Sequence, residues 1–343
     1  MYGRGRALVH EPLSLSQVRI SVVIPVFRSA TYIRDCLQSV LDQQFGVEEI
    51  VLVDDCTDDD SIEIATRFLA ASTVEVSVIR QDRNQGAGRA RNAGVTAATG
   101  NVIWFFDSDD LAAPAFTAEM AGALVAHDAD FVTCRTSFVE ENGTMIGTVE
   151  PRFRETAVSG RDFASMLING DVKAYPTPRL FRRDVLGDHP WDDRRAYEDM
   201  AATTRIALRS STVALIDEPL MSYRQHDQST SHVVAPHTRD VFAMGEEMSE
   251  LIGEMFDGKQ ARRLARRFLY RETLIPAAHL AMRARHDRTG EPALIGEILE
   301  KSRRRSRVAD TLPLLCDRQF RSAAFALTIK VMPNTYSAVL RRR

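Results

Sequence analysis

Apolar positions in the first third of the chain alternate between runs typical of strands and stripes typical of helices. Ile20–Val26 is a mostly apolar run that predicts a buried strand. Between Thr31 and Gln44, apolar residues recur at i, i+3, i+4, i+7 and i+8, which predicts one face of an amphipathic helix. The alternation continues, with strands and helices predicted in turn at 50–53, 62–69, 74–80, 86–99 and 102–106. Strands that alternate with helices favour a parallel sheet with right-handed crossovers, so the predicted class is α/β.

Acidic residues follow two of the predicted strands at their carboxyl ends. One cluster lies within Asp54–Ser61, and the other consists of Asp107, Asp109 and Asp110. Open α/β sheets bind ligands at this edge, and carboxylates so close together need a cation or several donors to stay ionised. Oxygen ligands suit Mg²⁺ or Mn²⁺, which one or two carboxylates hold together with substrate phosphates. The alternative is that the second cluster only stabilises the amino terminus of a helix predicted at 114–128.

A segment rich in glycine and arginine, Asn84–Gly94, opens the helix predicted at 86–99. A helix amino terminus with arginines beside it is an anion site, and glycines let a ligand approach the backbone closely. The glycine spacing differs from the dinucleotide fingerprint, so NAD is disfavoured and a phosphate group is the predicted ligand. The alternative is a helix start that is loosened by glycine and carries solvated arginines.

Composition and charge limit the class of protein further. The chain has 343 residues, of which 44% are hydrophobic, and this is typical of a globular protein with a sizeable core. Its formal charge of −3 hides an asymmetry. Residues 1–234 carry 23 basic and 34 acidic side chains, whereas residues 235–343 carry 21 and 13. Two regions with different surroundings are therefore predicted.

The cysteines and the hydropathy pattern bear on location. The four cysteines are far apart and form no CxxC pair, which argues against zinc and a disulfide framework and favours a reducing cytosol. No apolar run approaches the roughly 18 residues of a membrane-spanning helix. The polar leader at 1–18 lacks the apolar core of a signal peptide. The prediction is a cytoplasmic protein.

Four motifs, taken together and in order, resemble those of family 2 glycosyltransferases. They are Val22–Val26, Val53–Asp58, Asn84–Asn92 and Phe106–Asp110. The resemblance extends over residues 20–232 and implies an inverting enzyme with a GT-A-type, Rossmann-like fold, in which a mostly parallel sheet is flanked by helices and binds a nucleotide sugar. The implied organisation is the leader at 1–18, a catalytic domain at 19–233 and a basic helical region at 234–343.

The resemblance implies a donor site at the carboxyl edge of the sheet. Asp55 corresponds to the carboxylate that contacts the nucleobase, and Arg91 to a group near the base or the diphosphate. Asp107 would face the ribose and the metal, and Asp109 would ligate an Mn²⁺ or Mg²⁺ ion that bridges the diphosphate. Asp110 would orient a neighbour or cap a helix. The other implied donor-site residues are Pro25, Val26, Asn84, Gly86, Ser108 and Arg224.

The pair Glu198–Asp199 resembles the family's motif before its acceptor-side helix. Asp199 would be the general base that takes the proton of the acceptor hydroxyl as that oxygen attacks the anomeric carbon. The structural alternative is that the pair only supplies negative charge to a helix amino terminus. His226 is implied as a phosphate or metal contact, although a lone histidine on a loop is more often solvated. Trp191 and Tyr175 are candidates either to stack on a sugar ring or to be buried.

Two departures from the family pattern refine the prediction. No Gln-x-x-Arg-Trp sequence follows Asp199, so transfer of a single sugar is favoured over processive synthesis. Cys56–Thr57 replaces a Gly-Ser pair that is frequent in the family. The predicted reaction moves one sugar from a nucleotide-diphosphate sugar, with a UDP-sugar favoured, to a glycan or lipid-linked acceptor in cell-surface or extracellular polysaccharide synthesis. The alternative is a non-catalytic relative that binds nucleotide or glycan as an assembly partner.

From residue 234 onward the pattern is helical and basic. Helices are predicted at 241–256, 261–284, 292–304 and 325–332. One interpretation is a peripheral contact with anionic lipid headgroups at the inner face of the cell membrane. The other is a solvated helical face that packs on the catalytic domain or forms a homo-oligomer interface. Nucleic acid is disfavoured as a partner, because the basic residues lack interleaved aromatics.

Overall fold

The computed structural model describes residues 11–141, 143–225 and 233–331. The chain divides into two compact units, Met1–His226 and Asp227–Arg343. All described strands belong to the first unit, and the second unit is helical. The predicted metal contact His226 lies outside the described residues.

The first unit is built on one mixed sheet. Its strands are β1 (Ile20–Val26), β2 (Glu49–Asp54), β3 (Glu75–Arg80), β4 (Val102–Phe105), β5 (Leu111–Ala112), β6 (Phe131–Val139), β7 (Met145–Thr148), β8 (Ala157–Ser159), β9 (Arg179–Arg182) and β10 (Thr212–Arg224). Its helices are α1 (Ile33–Leu41), α2 (Ser61–Leu69), α3 (Ala87–Ala97), α4 (Phe116–Ala126), α5 (Gly160–Asn169), α6 (Arg183–Leu186) and α7 (Asp199–Arg209), and a short 3-10 helix precedes β1 at Leu15–Gln17.

The order of strands across the sheet is β3-β2-β1-β4-β9-β6-β10-β5, with β7 beside β6 and β8 beside β10. β1 pairs in parallel with β2 and β4, and β2 pairs in parallel with β3. β9 runs antiparallel to β4 and to β6, and β10 runs parallel to β6. The carboxyl ends of β1, β2, β4, β6 and β10 therefore lie at the same edge of the sheet, which is where α/β folds bind ligands.

The predicted α/β class and the parallel first half of the sheet are confirmed. α1 is shorter than predicted, but its buried residues, Ile33, Cys36, Leu37 and Val40, are those of the predicted apolar face. The antiparallel strands come from residues 111–182, where the sequence signal for them is a single turn motif at 142–144 that is typical of a hairpin; the observed pair β6 and β7 flanks it. Most of these strands have only two to four residues, too few to show a period, and most of their partners are distant in sequence.

β4 is buried on both faces. On one face, Trp104 stacks on Phe116 of α4 at a centroid distance of 4.4 Å, and its Nε1 donates to the carbonyl of Thr177 at 3.0 Å. On the other face, Phe105 packs edge-on against Trp191 at 5.0 Å. An unbroken apolar run suits a strand that is covered on both faces. The strand that carries the second acidic cluster at its end is therefore firmly anchored.

The second unit consists of helices. They are α8 (Asp240–Met255), α9 (Gly258–Phe268), α10 (Ile275–Asp287), α11 (Pro292–Arg305), α12 (Thr311–Cys316) and α13 (Phe320–Val331), with 3-10 turns at Pro236–Arg239 and Val308–Asp310. α9 continues into α10 through a π-helical turn at Leu269–Leu274. Pro276, in the first turn of α10, cannot donate a backbone hydrogen bond, which accounts for the widened turn before it.

The helices predicted near 241–256, 261–284 and 292–304 are observed, and the last helix begins earlier than predicted, at Phe320. Tyr270, buried in the π-helical turn, joins two parts of this unit. Its hydroxyl accepts from the backbone N–H of Arg307 at 2.9 Å and donates to Asp310 at 3.1 Å. Within the described ranges, none of the helices combines the length and the apolar character needed to cross a membrane.

Candidate active site

Asp107, Asp109 and Asp110 follow β4 and form an acidic group that we call the β4 cluster. Asp110 is buried, and its Oδ1 accepts a hydrogen bond from the backbone N–H of Arg224 at 3.1 Å. Its Oδ2 is also buried and finds no hydrogen-bond partner among the described residues. Burial and the negative charges of Asp109 and Asp107 raise the pKa of Asp110 well above the usual value of an aspartate. The cluster therefore carries more negative charge than its protein surroundings neutralise.

Arg224, the last residue of β10, is buried beside the β4 cluster. Its Nε donates to the carbonyl of Asp109 at 3.0 Å, and its Nη1 donates to the carbonyl of Glu141 at 2.6 Å. Its guanidinium lies over the ring of Tyr32, 5.2 Å from the centroid. Arg224 thus fixes the backbone that carries the acidic side chains, and its contact with a phosphate stays a prediction.

The β4 cluster is the part of the site that suits a metal ion. Within the described ranges, no group of three or more His, Cys, Asp or Glu side chains is arranged to hold a metal by itself. Proteins usually hold Mg²⁺, however, with one or two carboxylates and complete the shell with substrate phosphates and water. The repelling carboxylates and the unpartnered Oδ2 of Asp110 would suit a divalent cation that also takes phosphate oxygens as ligands.

Arg91 of α3 is buried and joins the β4 cluster to the segment before α7. Its Nη2 donates to Oδ1 of Asp107 at 2.8 Å, and its Nη1 donates to Oε1 of Glu198 at 2.7 Å. The guanidinium also lies over the ring of Trp191, 5.6 Å from the centroid. Even with this ion pair, burial and the charge of Asp109 raise the pKa of Asp107. Arg91 therefore binds one carboxylate of the β4 cluster and one that is adjacent to the predicted base Asp199.

Asn92 and Gly88 hold the same segment against α3, a role that the sequence pattern does not predict. Nδ2 of Asn92 donates to the carbonyl of Trp191 at 2.8 Å, and its Oδ1 accepts from the N–H of Trp191 at 3.0 Å. A Cβ atom at Gly88 would lie 2.5 Å from the carbonyl oxygen of Asp192. The close approach that this glycine permits is therefore to the protein's own backbone. In the sequence, Asn92 stands directly after Arg91, and the structure buries both polar side chains.

Asp199, the predicted general base, is the first residue of α7 and is partly exposed. Burial and the charge of Glu198 raise the pKa of Asp199 to about 6, although Arg91 and the backbone N–H groups of Asp199 and Met200 oppose the rise. Tyr197, two residues earlier, has a left-handed backbone with a φ of 59°. Such a conformation is uncommon for an aromatic residue and is frequent at functional sites. The carboxylate is mostly ionised at neutral pH yet basic enough to accept a proton.

Asp55, the predicted nucleobase contact, binds the amides that precede α3. Its Oδ1 accepts from the N–H of Gln85 at 2.7 Å, and its Oδ2 accepts from the N–H of Gly86 at 2.8 Å. Burial raises the pKa of Asp55, and these two donors offset part of the rise. Asn84 accepts a hydrogen bond from the guanidinium of Arg195. Part of the anion site expected at this helix start is therefore taken by an internal carboxylate.

Residues 55–60, which connect β2 to α2, are called the β2 loop. Asp59 accepts from the N–H of Ala30 at 3.1 Å and from the hydroxyl of Thr57 at 2.8 Å. Burial opposes the ionisation of Asp59, but hydrogen bonds from Ser61 and Thr57 outweigh it and lower the pKa. Cys56 has a left-handed backbone with a φ of 58°. Glycine adopts this geometry without strain, whereas a residue with a Cβ atom does not.

The remaining predicted donor-site residues lie at the same edge. Pro25 is partly exposed, whereas Val26 and Ser108 are buried. The carbonyl of Val26 accepts from the N–H of Asp55 at 3.0 Å, and the hydroxyl of Ser108 is hydrogen-bonded to that of Ser29. The structure thus connects the ends of β1, β2 and β4 through the predicted residues.

Two aromatic residues lie close to the β4 cluster. Tyr175 stacks on Tyr223 with centroids 5.5 Å apart. Tyr223 precedes Arg224, whose backbone N–H binds Asp110, and burial together with the negative charge of Asp110 raises the pKa of Tyr223. Trp191 is buried, so of the two aromatic candidates only Tyr175 remains available to stack on a sugar.

Arg179 of β9 is a buried charge that the sequence pattern does not identify. Its guanidinium donates to the carbonyls of Tyr175 and Lys173. Burial lowers the pKa of Arg179 to about 10, although the negative charges of Glu150 and Asp199 oppose the shift. The arginine therefore supports the aromatic side of the site and adds a positive charge near the predicted base. The local sequence gives little signal, because Arg179 and Arg182 flank only two apolar residues in a four-residue strand.

The four cysteines fall into two classes. Cys36 and Cys134 are buried, and burial raises the pKa of both thiols. Cys56 and Cys316 are exposed, and all four are free thiols. Cys56 is thus an accessible thiol in the β2 loop.

The chain is similar in sequence to known proteins. Residues 21–189 match the sequence model of glycosyl transferase family 2, a range that begins in β1 and includes the β4 cluster. The chain is 28% identical over 217 residues to the glycosyltransferase GlyG of Streptococcus pneumoniae serotype 4, which covers 61% of this chain and 72% of that protein.

Two solved structures have a similar fold. A crystal structure of residues 1–349 of TarS from S. aureus, in complex with UDP-GlcNAc, has a TM-score of 0.61 and 18% identity, covering 90% of each chain. The mannosyltransferase PcManGT from Pyrobaculum calidifontis, in complex with GDP-Man and Mn²⁺, has a TM-score of 0.50 and 17% identity, covering 91% of this chain and 86% of that one. These likenesses confirm the predicted GT-A-type fold. The match to the family model and the similarity to curated glycosyltransferases identify residues 21–189 as a glycosyl transferase family 2 domain and the protein as a glycosyltransferase.

Proposed function

We propose that the protein transfers a single sugar, with inversion at the anomeric carbon, from a nucleoside-diphosphate sugar to a hydroxyl group of an acceptor. UDP is the proposed nucleotide, because the TarS structure contains UDP-GlcNAc and has a higher TM-score than the PcManGT structure with GDP-Man. In this proposal Asp55, Pro25, Val26, Asn84 and Gly86 line the nucleotide pocket, and Ser108 and Arg224 lie on its diphosphate side.

The observation that carries the proposal is the buried arginine between two carboxylates. Because Arg91 binds both Asp107 and Glu198, it holds the donor-side strand end and the residue next to Asp199 in a fixed relation. Inverting transfer needs such an arrangement, with the base and the leaving diphosphate on opposite sides of the sugar ring. One buried cation therefore links the two halves of the reaction site.

Asp199 is the proposed general base. With a pKa raised to about 6, it is ionised at neutral pH and can accept the proton of the acceptor hydroxyl at its carboxylate. The acceptor oxygen then forms a bond to the anomeric carbon while the bond from that carbon to the diphosphate breaks. The nucleoside diphosphate leaves with the electron pair of the broken bond, and a single base is sufficient.

Asp107 and Asp109 are the proposed ligands of Mg²⁺ or Mn²⁺, which when bound would act as a Lewis acid for the charge on the departing diphosphate. The support is the excess negative charge of the β4 cluster and the Mn²⁺ in the PcManGT structure. His226 is proposed as a further contact with the metal or the diphosphate. Asp110 is proposed to orient Arg224, whose backbone N–H it binds.

A glycan or lipid-linked acceptor of cell-surface or extracellular polysaccharide synthesis is the proposed second substrate. The stacked pair Tyr175 and Tyr223 offers an aromatic surface of the kind on which sugar rings pack. TarS of Staphylococcus aureus is named a poly(ribitol-phosphate) β-N-acetylglucosaminyltransferase, which indicates that one relative acts on a polymer.

Donor binding is tested by calorimetry with UDP, GDP, dTDP and CDP, in Mn²⁺ and then in EDTA, on the wild type and on Asp109→Ala. We expect one nucleotide, UDP, to bind in a metal-dependent way and to lose affinity in the variant. Failure of every nucleotide to bind in the presence of metal would refute the donor site.

The base is tested separately by release of the nucleotide from its sugar, with water or a glycan as acceptor. Asp199→Asn should lower turnover by about 10²- to 10⁴-fold while nucleotide binding is kept. The matched control is Asp193→Asn, which removes an exposed carboxylate from the same segment and should leave turnover unchanged. Equal turnover in the two variants would show that Asp199 is not the base.

A further inference from the structure

Helix α13 is apolar on two opposite sides. One side is buried in the second unit through Phe325, Ala326 and Ile329. The other side exposes Phe320 at 65%, Leu327 at 44% and Val331 at 59%. These positions are seven and four residues apart, so they lie on one stripe of the helix, here called the outer stripe.

Exposed apolar side chains are concentrated around this helix. Of the twelve large hydrophobic side chains exposed in the described parts of the chain, six lie within residues 308–331. Besides the outer stripe they include Leu312 and Leu315 of α12, which packs on α13. Scattered apolar residues need no explanation, but a concentration of this kind marks an interaction surface.

The chain segment that carries the outer stripe has charges of one sign. Residues 318–343 contain six basic residues and no aspartate or glutamate. In the described part of this segment, Arg318, Arg321 and Lys330 are exposed. The nearest acidic residue along the chain, Asp317, is already bound to Arg263 of α9 at 2.6 Å. The apolar stripe is thus bordered by cations.

We propose that the outer stripe of α13 docks on an anionic lipid bilayer, with Phe320, Leu327 and Val331 in the interface and the neighbouring cations on lipid headgroups. A helix with an exposed apolar stripe and basic flanks is the arrangement that binds such interfaces. Each Lys or Arg near an anionic surface strengthens binding about fivefold. This inference does not depend on the proposed reaction.

A second copy of the chain is a poorer occupant for this surface. A two-fold symmetric contact through the outer stripe would face Arg318, Arg321 and Lys330 with the same cations of the partner copy. Like charges across an interface disfavour association. A lipid surface with negative headgroups complements both the apolar and the basic parts.

The test is flotation of the full chain with vesicles of phosphatidylcholine alone and with vesicles that also contain phosphatidylglycerol. We expect binding only to the anionic vesicles, weakened by salt. Phe320→Ser with Leu327→Ser should lower the partition coefficient about tenfold or more. Arg321→Gln with Lys330→Gln should lower it about 25-fold. All four side chains are exposed, so both variants should unfold like the wild type.

The matched control is Met145→Ser with Ile146→Ser, which removes two apolar side chains, exposed at 63% and 54%, from β7 of the first unit. This variant should bind vesicles as the wild type does. No binding to anionic vesicles, equal binding to both kinds, or binding that survives both α13 variants would each overturn the proposal. A concentration-dependent dimer that Phe320→Ser dissociates, without vesicle binding, would assign the stripe to a second copy instead.

Discussion

The β2 loop and the β4 cluster carry the same sequence signal, carboxylates just after a parallel strand, but they differ in how their charge is compensated. In the β2 loop, backbone amides and hydroxyls bind the carboxylates, and the pKa of Asp59 is lowered. In the β4 cluster, the pKa values of Asp107 and Asp110 are raised and one oxygen of Asp110 finds no partner among the described residues. The protein thus compensates the charge of Asp59 in the β2 loop, whereas it leaves negative charge in the β4 cluster uncompensated.

The difference shows that the position of an acidic motif does not define its role. Local donors decide it, because a carboxylate that receives several hydrogen bonds is satisfied by the protein, whereas one surrounded by other carboxylates needs a cation from outside. Asp55 is intermediate, since two amides bind it although burial raises its pKa.

The largest expected effect is that of Arg91→Gln, which removes the buried guanidinium that pairs with both Asp107 and Glu198. Breaking a buried ion pair leaves a carboxylate uncompensated, so the free energy of unfolding should fall by about 3–5 kcal/mol. Urea denaturation measures it. The control is Arg89→Gln on the same helix, whose exposed pair with Asp193 should contribute less than about 1 kcal/mol. Equal losses would contradict the role of Arg91.

Next in size is the contrast between Asp109→Asn and Asp59→Asn. The first should lower metal-dependent turnover about 100-fold without lowering the free energy of unfolding, because it reduces repulsion within the β4 cluster. Asp59→Asn should leave turnover unchanged and lower the free energy of unfolding by about 1–2 kcal/mol. The reason is that an amide nitrogen in place of Oδ2 cannot accept a hydrogen bond from the N–H of Ala30. Turnover assays and urea denaturation on both variants measure this. If both variants lose turnover alike, the two regions do not differ as described.

The pH dependence of kcat/KM sharpens the comparison further. Because the pKa of Asp199 is raised to about 6, protonation below that pH removes the base. The rate should be flat above about pH 6.5 and fall about tenfold for each unit below pH 6. Asp193→Asn should keep this profile. A rate that stays flat down to pH 4 would show that the base is an ordinary aspartate.

The smallest expected effect is that of Cys56→Gly in the β2 loop. Glycine relieves the strain of the left-handed backbone at position 56, and this should outweigh the extra entropy that glycine gives the unfolded chain. The free energy of unfolding should therefore rise by about 0.5–1 kcal/mol. Thermal unfolding measures it. Cys316→Gly serves as the control, since Cys316 ends a helix and glycine there should give no gain. A loss of stability in Cys56→Gly would mean that the thiol makes contacts that outweigh the strain.

The sequence is informative where the signal is local. The period of α1 and the apolar run of β4 predict buried faces correctly, and the rule that ligands bind at the carboxyl edge places the acidic motifs together. The contact of Arg91 with Glu198 joins residues that are 107 positions apart. No local period encodes such a pair, nor the contact of Gly88 with Asp192. The sequence therefore predicts which residues gather, but not which of them are already bound to one another.

The exposed thiol of Cys56 makes the edge of the sheet open to observation. Because Cys36 and Cys134 are buried, a Cys316→Ser protein keeps one accessible thiol. An environment-sensitive fluorophore attached there would sit in the β2 loop, beside the nucleotide pocket proposed above. Its emission would report the arrival and departure of nucleotides in real time, before any acceptor is identified.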